Sequence, residues 1–198
     1  MKKKTIIFAT GNEGKMREIH EILADMPYEI ISMKDAGIDI NIEENGATFE
    51  ENALIKARAV YMAAGGGVYV MADDSGLEVD AMGGEPGVYS ARFMGEDTSY
   101  DIKNAEIIKR VNEFEDGTKR AARFRCVIAL VYPDGTSRTV DGRFEGEIAY
   151  EPAGENGFGY DPIFYVPEFG VTSAQMSSEE KNSMSHRGLA LKKIRKYL

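Results

Sequence analysis

Residues 5–9, Thr-Ile-Ile-Phe-Ala, form a short apolar run that stops at Thr10-Gly11-Asn12-Glu13-Gly14, after which Ile19, Ile22, Leu23 and Met26 follow at helical spacing. The run reads as a buried strand, and the i, i+3, i+4, i+7 recurrence as a helix that lays one face on the strand's sheet. The glycine-bearing segment between them predicts a tight turn, with the helix starting near Lys15. A strand, glycine loop and helix in immediate succession restrict the fold to the α/β class more firmly than any other feature of the chain.

The remaining pattern extends this reading. Residues 28–32 predict a second strand, and Phe49, Ala53, Ala57 and Val60 a second helix that stops at Gly65-Gly66-Gly67. Residues 68–72 predict a strand running into Asp73-Asp74-Ser75-Gly76, with extended structure resuming over 77–81. A third helix is expected over 99–113, and two long strands over 121–132 and 136–150 flank Pro133-Asp134-Gly135, a hairpin signal. A brief strand over 163–166 and a terminal helix over 185–198 capped by Ser185 complete the pattern. Helix-linked and hairpin-linked strands together imply a mixed sheet. No repeat or linker divides the chain, so residues 1–198 are expected to form one domain, to which 43% hydrophobic residues supply a core.

Charge and cysteine usage narrow the partners. The net charge of -9 disfavours nucleic acid and anionic membrane, while a pocket with a few converging cations can still hold one small polyanion. No apolar run reaches the roughly 18 residues needed to span a bilayer. Cys126 is the single cysteine, which fits a reducing compartment, so a cytoplasmic protein is expected. Cys126 itself reads as core, and Met16, Met26, Met62 and Met176 as core or contact filler.

Several segments carry residues suited to phosphate chemistry. Gly11 and Gly14 allow backbone amides to approach a ligand, Asn12 tolerates turn dihedrals, and Lys15 lies where a first helical turn exposes N–H groups. The same residues would also serve merely to turn the chain. Asp73 and Asp74 follow an apolar strand directly, the end at which α/β clefts form; adjacent side chains on extended backbone point apart, so either one ligates a metal while the other supports, or the pair forms a solvent-facing acidic turn. Magnesium suits such a site because it takes hard carboxylate oxygens and few protein ligands. Glu43 and Glu44 are candidates for a second ligand or an ordinary acidic surface pair, and Glu50 and Glu51 fit a helix's first turn.

Near the C-terminus, Lys181 precedes Ser185-His186-Arg187. Cations in an opening helical turn are unfavourable unless an anion is near, so Arg187 is suited to gripping phosphate and His186 to phosphate or a base carbonyl, unless the pair is simply a solvated helix start. Phe158-Gly159-Tyr160-Asp161-Pro162 would pack against a purine, or equally form a buried turn with Tyr160 tied by its hydroxyl.

Six segments occur in an order that is specific: TGNEGK from Thr10, EENGATFEENA from Glu43, ADDSGL from Ala72, GGEPGVYSAR from Gly83, GFGYDP from Gly157 and EKNSMSHR from Glu180. Together they resemble the inosine triphosphate pyrophosphatase family, also called the Ham1-like or dITP/XTP pyrophosphatase family, across nearly the whole chain. The resemblance implies a two-lobed α/β protein around a long mixed sheet with helices packed on it, the active cleft between the lobes, and a homodimer. It implies magnesium-dependent hydrolysis of ITP, dITP and XTP to the monophosphate and pyrophosphate. Asp74 corresponds to the metal-associated catalytic residue, with Ser75 beside the substrate. Thr10, Gly11, Asn12, Glu13, Gly14 and Lys15 map onto substrate contacts, Phe158, Gly159, Tyr160 and Asp161 onto the nucleotide side, and Lys181, His186 and Arg187 onto the final motif. The acidic loop's metal residue aligns best with Glu43, with Glu44 adjacent. Lys56 joins the charge-neutralising group from its helix position. One departure stands out: the family often carries an acidic residue where this chain has Gln175. Alternatives are a pyrophosphatase for other modified or pyrimidine nucleotides, and a nucleotide-binding protein without turnover.

Overall fold

In a computed structural model of the protein, residues 4–114 and 117–198 are described. The chain forms two compact units, one of Met1–Asp74, Cys126–Gly142 and Arg187–Leu198, the other of Ser75–Arg125 and Arg143–His186. Strands β1 (Lys4–Phe8), β2 (Tyr28–Ser32), β3 (Tyr69–Val79), β4 (Ala121–Val131), β5 (Ser137–Ile148), β6 (Phe164–Val166) and β7 (Val171–Thr172) form a sheet in the order β2-β1-β3-β4-β5-β6-β7. β1 is parallel to β2 and β3, whereas β6 is antiparallel to β5 and β7. The fold is therefore α/β with a mixed sheet and flanking helices, as the alternation of helix and hairpin links implies.

In the first unit, α1 (Glu13–Ile22) and α5 (His186–Ile194) supply apolar side chains to a core with the strands. Ile19, Leu23, Leu191 and Ile194 are buried among Ile6, Phe8, Met71, Cys126, Ile128 and Leu130. Each such side chain removed from water contributes roughly 1.5–3 kcal/mol. α2 (Phe49–Ala63) buries Phe49, Ala53, Ala57 and Val60, the positions that predicted it, and Thr48 caps it by accepting from Glu51 N. Asp134 organises the turn between β4 and β5, where Tyr132 N donates to Thr136 O.

The second unit has its own core of Leu77, Val79, Ile107, Val111, Phe124, Phe144, Ile148 and Phe164. α3 (Tyr100–Asn112), capped by Ser99, contributes Ile107, Ile108 and Val111. α4 (Ser178–Met184) opens with a capping box in which Ser177 and Glu180 satisfy each other's backbone donors.

Several boundaries differ from the sequence reading, each for a physical reason. Asn12, as N-cap, starts α1 at Glu13 rather than near Lys15. β3 does not stop at Asp73 but continues to Val79 past the end of its pairing with β1 at Met71, because membership of the sheet overrides the turn preference of Asp, Ser and Gly. The two aspartates therefore lie within a strand and not at its end. The helix expected over 185–198 begins at His186 and tightens to a 3-10 turn at Arg195–Tyr197. α4 and the two-residue β7 add elements that apolar periodicity does not signal. Cys126 is core, but Met62 is exposed.

Candidate active site

The glycine loop of the first unit is held by its own side chains. Asn12 N donates to Thr10 Oγ1 at 3.1 Å, and Asn12 Oδ1 accepts from Lys15 N at 3.0 Å. Gly11 is exposed, does not adopt a left-handed φ, and would offer an added Cβ no contact within 4 Å. The fold itself does not demand glycine there. A glycine kept in open space beside a helix start leaves room for a ligand to reach backbone amides, which at Glu13 and Gly14 belong to the first helical turn.

Alternation along β3 sends its two aspartates to different partners. Asp73, wholly buried, accepts from Lys15 Nζ at 3.1 Å through Oδ1, and from Arg187 Nη2 and Nε at 3.0 and 3.3 Å through Oδ2. Arg187 also pairs with Glu18 of α1. Burial opposes the guanidinium's charge, but Asp73 and Glu18 outweigh it and hold its pKa above the ordinary arginine value. The anion that a cation in an opening helical turn requires is thus supplied within the unit. Among the four candidate cations Lys15 is the most open, its side chain 19% exposed against 2% for Arg187.

Asp74 faces Lys56 of α2. Its Oδ1 accepts from Lys56 Nζ at 2.9 Å, and the same ammonium donates to Glu44 Oε2 at 2.6 Å. Asp74 Oδ2 is buried without a hydrogen-bond partner. Burial pushes the Asp74 carboxyl above the usual carboxylate range, and the attraction of Lys56 does not cancel this. For Lys56, burial opposes the charge, yet Asp74, Asp73 and Glu44 raise its pKa. Glu44 is brought to this lysine, whereas Glu43 is exposed and forms no ion pair with a described residue.

A carboxylate with one oxygen fixed by an ammonium and the other buried and idle can accept a proton from water or bind a hard cation. Among the described residues no three His, Cys, Asp or Glu side chains form a ready cage for an ion. Two carboxylates around one lysine instead suit a cation that takes its remaining ligands from water and phosphate.

The second unit holds the other candidates. Asp161 is buried and saturated: Oδ2 accepts from Lys181 Nζ and Phe158 N at 2.7 and 2.8 Å, and Oδ1 from Ser173 Oγ at 2.7 Å. A Cβ at Gly157, where φ is +75°, would fall 2.2 Å from Asp161 Oδ2, so this close loop admits only glycine. Tyr160 is buried and its hydroxyl donates to Ser90 O at 2.7 Å, the tied-tyrosine arrangement of the two that its sequence allowed. Burial pushes that phenol well above its ordinary pKa. Phe158 stays half-buried, with Lys181 Nζ 5.5 Å from its ring centroid. His186 stacks on Phe124 at 4.8 Å, and Ser75 is half-buried on β3.

The pattern that defines the Ham1 family matches residues 6–197. The chain belongs to the Ham1 family. A dITP/XTP pyrophosphatase of Bacillus licheniformis is 48% identical over 191 residues, covering 96% of each chain. One from Thermus thermophilus is 49% identical over 189 residues, covering 96% of this chain and 89% of its own. Among solved structures, a Ham1 protein from Coxiella burnetii superposes with a TM-score of 0.87 at 39% identity, with 98% of both chains covered. The Staphylococcus aureus Ham1 protein gives 0.84 at 43% identity, over 98% of this chain and 97% of its own.

Two features of this Ham1-family chain were beyond its sequence reading. Gln175 closes a capping box, its Oε1 accepting from Thr172 N at 3.0 Å, a role that Glu and Gln fill equally. The missing charge therefore leaves that local structure intact. Glu18 is a further site-building residue; its one available signal was its position three residues after Lys15, on the same face of α1.

Proposed function

We infer that this chain is a nucleoside triphosphate pyrophosphatase acting on non-canonical purine nucleotides, ITP, dITP and XTP, and releasing the monophosphate and pyrophosphate. The observation that carries the reading is the Asp74 carboxylate, one oxygen on Lys56 and the other buried and idle, in a chain 48–49% identical to two dITP/XTP pyrophosphatases. Intact Asp74 and Lys15 favour turnover over nucleotide binding alone.

We assign the residues as follows. Asp74 takes the proton of the water that attacks the α phosphorus; the bond from that phosphorus to the bridging oxygen breaks, and the electron pair leaves with pyrophosphate. Thr10, Gly11, Asn12, Glu13, Gly14 and Lys15 hold the phosphate chain by backbone amides and one ammonium. Lys15 is the cation with room to meet phosphate, and Lys56 balances the charge around Asp74. Arg187 acts by fixing Asp73, which in turn aims Lys15. Magnesium fits the idle Asp74 oxygen together with Glu44, with Glu43 as the alternative ligand, and when bound it supplies Lewis-acid polarisation of phosphate oxygens. Phe158, Gly159, Tyr160, Asp161, Lys181, Ser75 and His186 serve the nucleoside side.

Hypoxanthine and xanthine carry a 6-carbonyl where adenine carries an amine. A donor aimed at that carbonyl leaves adenine facing donor with donor, a mismatch of about 1–3 kcal/mol when desolvated. A homodimer is proposed on the strength of the resemblance, and sedimentation of a monomer at micromolar protein would remove it. A cytoplasmic location, without nucleic acid or membrane partners, accords with the charge of -9. Among the described residues no helix is long and apolar enough to cross a membrane. The function is tested by kcat/KM for pyrophosphate release from ITP, XTP, dUTP, methylated UTP, GTP and ATP. Preference for ITP and XTP supports it, and preference for a pyrimidine nucleotide replaces it.

A further inference from the structure

Asn104, near the start of α3, is a buried polar side chain that no step of the proposed hydrolysis uses. It is 3% exposed. A buried side-chain amide costs free energy unless its donors and acceptor are satisfied. Asn104 is satisfied on one side: Nδ2 donates to Gly159 O at 3.2 Å, while Oδ1 is buried without a partner. An aliphatic side chain of similar size would avoid the cost of that idle oxygen but leave the Gly159 carbonyl without this donor, two effects that oppose each other in stability. What its amide does is hold the carbonyl of Gly159.

Further contacts tie the same loop to the same helix. The Tyr100 ring meets Tyr160 edge-on, with centroids 5.2 Å apart and planes at 87°. A Cβ at Gly159 would lie 3.4 Å from the Tyr100 ring. Tyr160 is fixed to Ser90 O, and the next carbonyl, that of Ala91, accepts from the buried Lys103 Nζ at 2.7 Å. Gly159 has a φ of +70°, a region where glycine alone turns freely, so its peptide plane needs an outside hold. Because the peptide is planar, fixing the Gly159 carbonyl also fixes the direction of the Tyr160 N–H.

We propose that Asn104 is a positioning residue for substrate binding: by holding the Gly159 carbonyl it sets the peptide plane of the loop assigned to the nucleoside. The proposal rests on that assignment. It predicts that stability and binding separate. In Asn104→Leu the melting temperature stays within about 3 °C of the parent, under roughly 1.5 kcal/mol for a chain of this size. Hydrogen exchange at the Phe158 amide, which donates to Asp161 Oδ2 at 2.8 Å within the same loop, accelerates at least about tenfold. The KM for dITP rises about tenfold with kcat changed less than about twofold, as for lost binding rather than lost chemistry. If Asn104→Leu is not recovered folded, Asn104→Ala, which adds no bulk, is read in the same way. Unchanged exchange and unchanged KM overturn the proposal. So does a melting temperature lowered by more than about 6 °C with kcat and KM degraded together, which marks a purely structural residue. If the parent protein releases no pyrophosphate from dITP, the functional reading fails, and the exchange rates alone then decide whether Asn104 fixes the loop.

Discussion

Replacing Asp73 by asparagine tests the charge network beneath the glycine loop. Its carboxylate is wholly buried and takes three N–H donors, one from Lys15 at 3.1 Å and two from Arg187 at 3.0 and 3.3 Å. Asparagine keeps the shape, removes the charge and turns an NH2 group toward one of the two cations. Removing one partner of a buried ion pair costs about 3–5 kcal/mol, because the other charge stays buried. Glu18 still pairs with Arg187, which places the expected loss at the lower end, about 3 kcal/mol. For a chain of this length each kcal/mol moves the melting temperature by about 2–4 °C, so the variant should melt about 6–12 °C lower. Differential scanning calorimetry at neutral pH and low salt reads the shift. A change under about 2 °C would refute the claim that Asp73 is the counter-charge holding Arg187 and Lys15.

Asp74→Asn should behave in the opposite way, with turnover reduced at least about a hundredfold and the fold retained. Asp74 has a folded pKa raised by burial, so its contribution to stability is present below the ordinary carboxylate pKa and is lost as pH rises through the folded value. Relative to the parent, the variant therefore gains stability on going from about pH 3 to pH 7; a variant that loses stability relative to the parent over that range contradicts the raised pKa. Lys15→Ala should weaken ITP, GTP and ATP by similar factors, because it removes a charge that all three phosphate chains meet. His186→Ala should instead shrink the preference over ATP by roughly 1–3 kcal/mol; a uniform loss across the three bases would make His186 a phosphate ligand.

What was legible in the sequence was what local chemistry determines. Pro133-Asp134-Gly135 turns the chain whatever surrounds it, and Ile19 and Leu23 declare the buried face of α1, whereas the caps Thr48 and Ser99 emerged only with the structure. Ser177 and Glu180 also formed a readable capping box, hidden only because α4 is short and without apolar periodicity. The course of β3 through Asp73-Asp74-Ser75-Gly76 was not legible, since those residues favour turns and only membership of the sheet holds them extended. The division of labour between the aspartates was half legible. Alternation shows that they part, but the partners of Asp73 lie 58 and 114 residues away, and no spacing rule reaches so far. The loop over 158–161 had two sequence readings, and only the Tyr160 hydroxyl on Ser90, itself a contact across 70 residues, chooses between them for that side chain.

The position of bond cleavage tests the account most directly. Incubation with dITP and magnesium, followed by phosphorus NMR, should show dIMP and pyrophosphate appearing in equal amounts, with no product in excess EDTA or from Asp74→Asn. Orthophosphate and dIDP as first products would place the attack at the γ phosphorus and contradict the assignment of Asp74 to water at the α phosphorus.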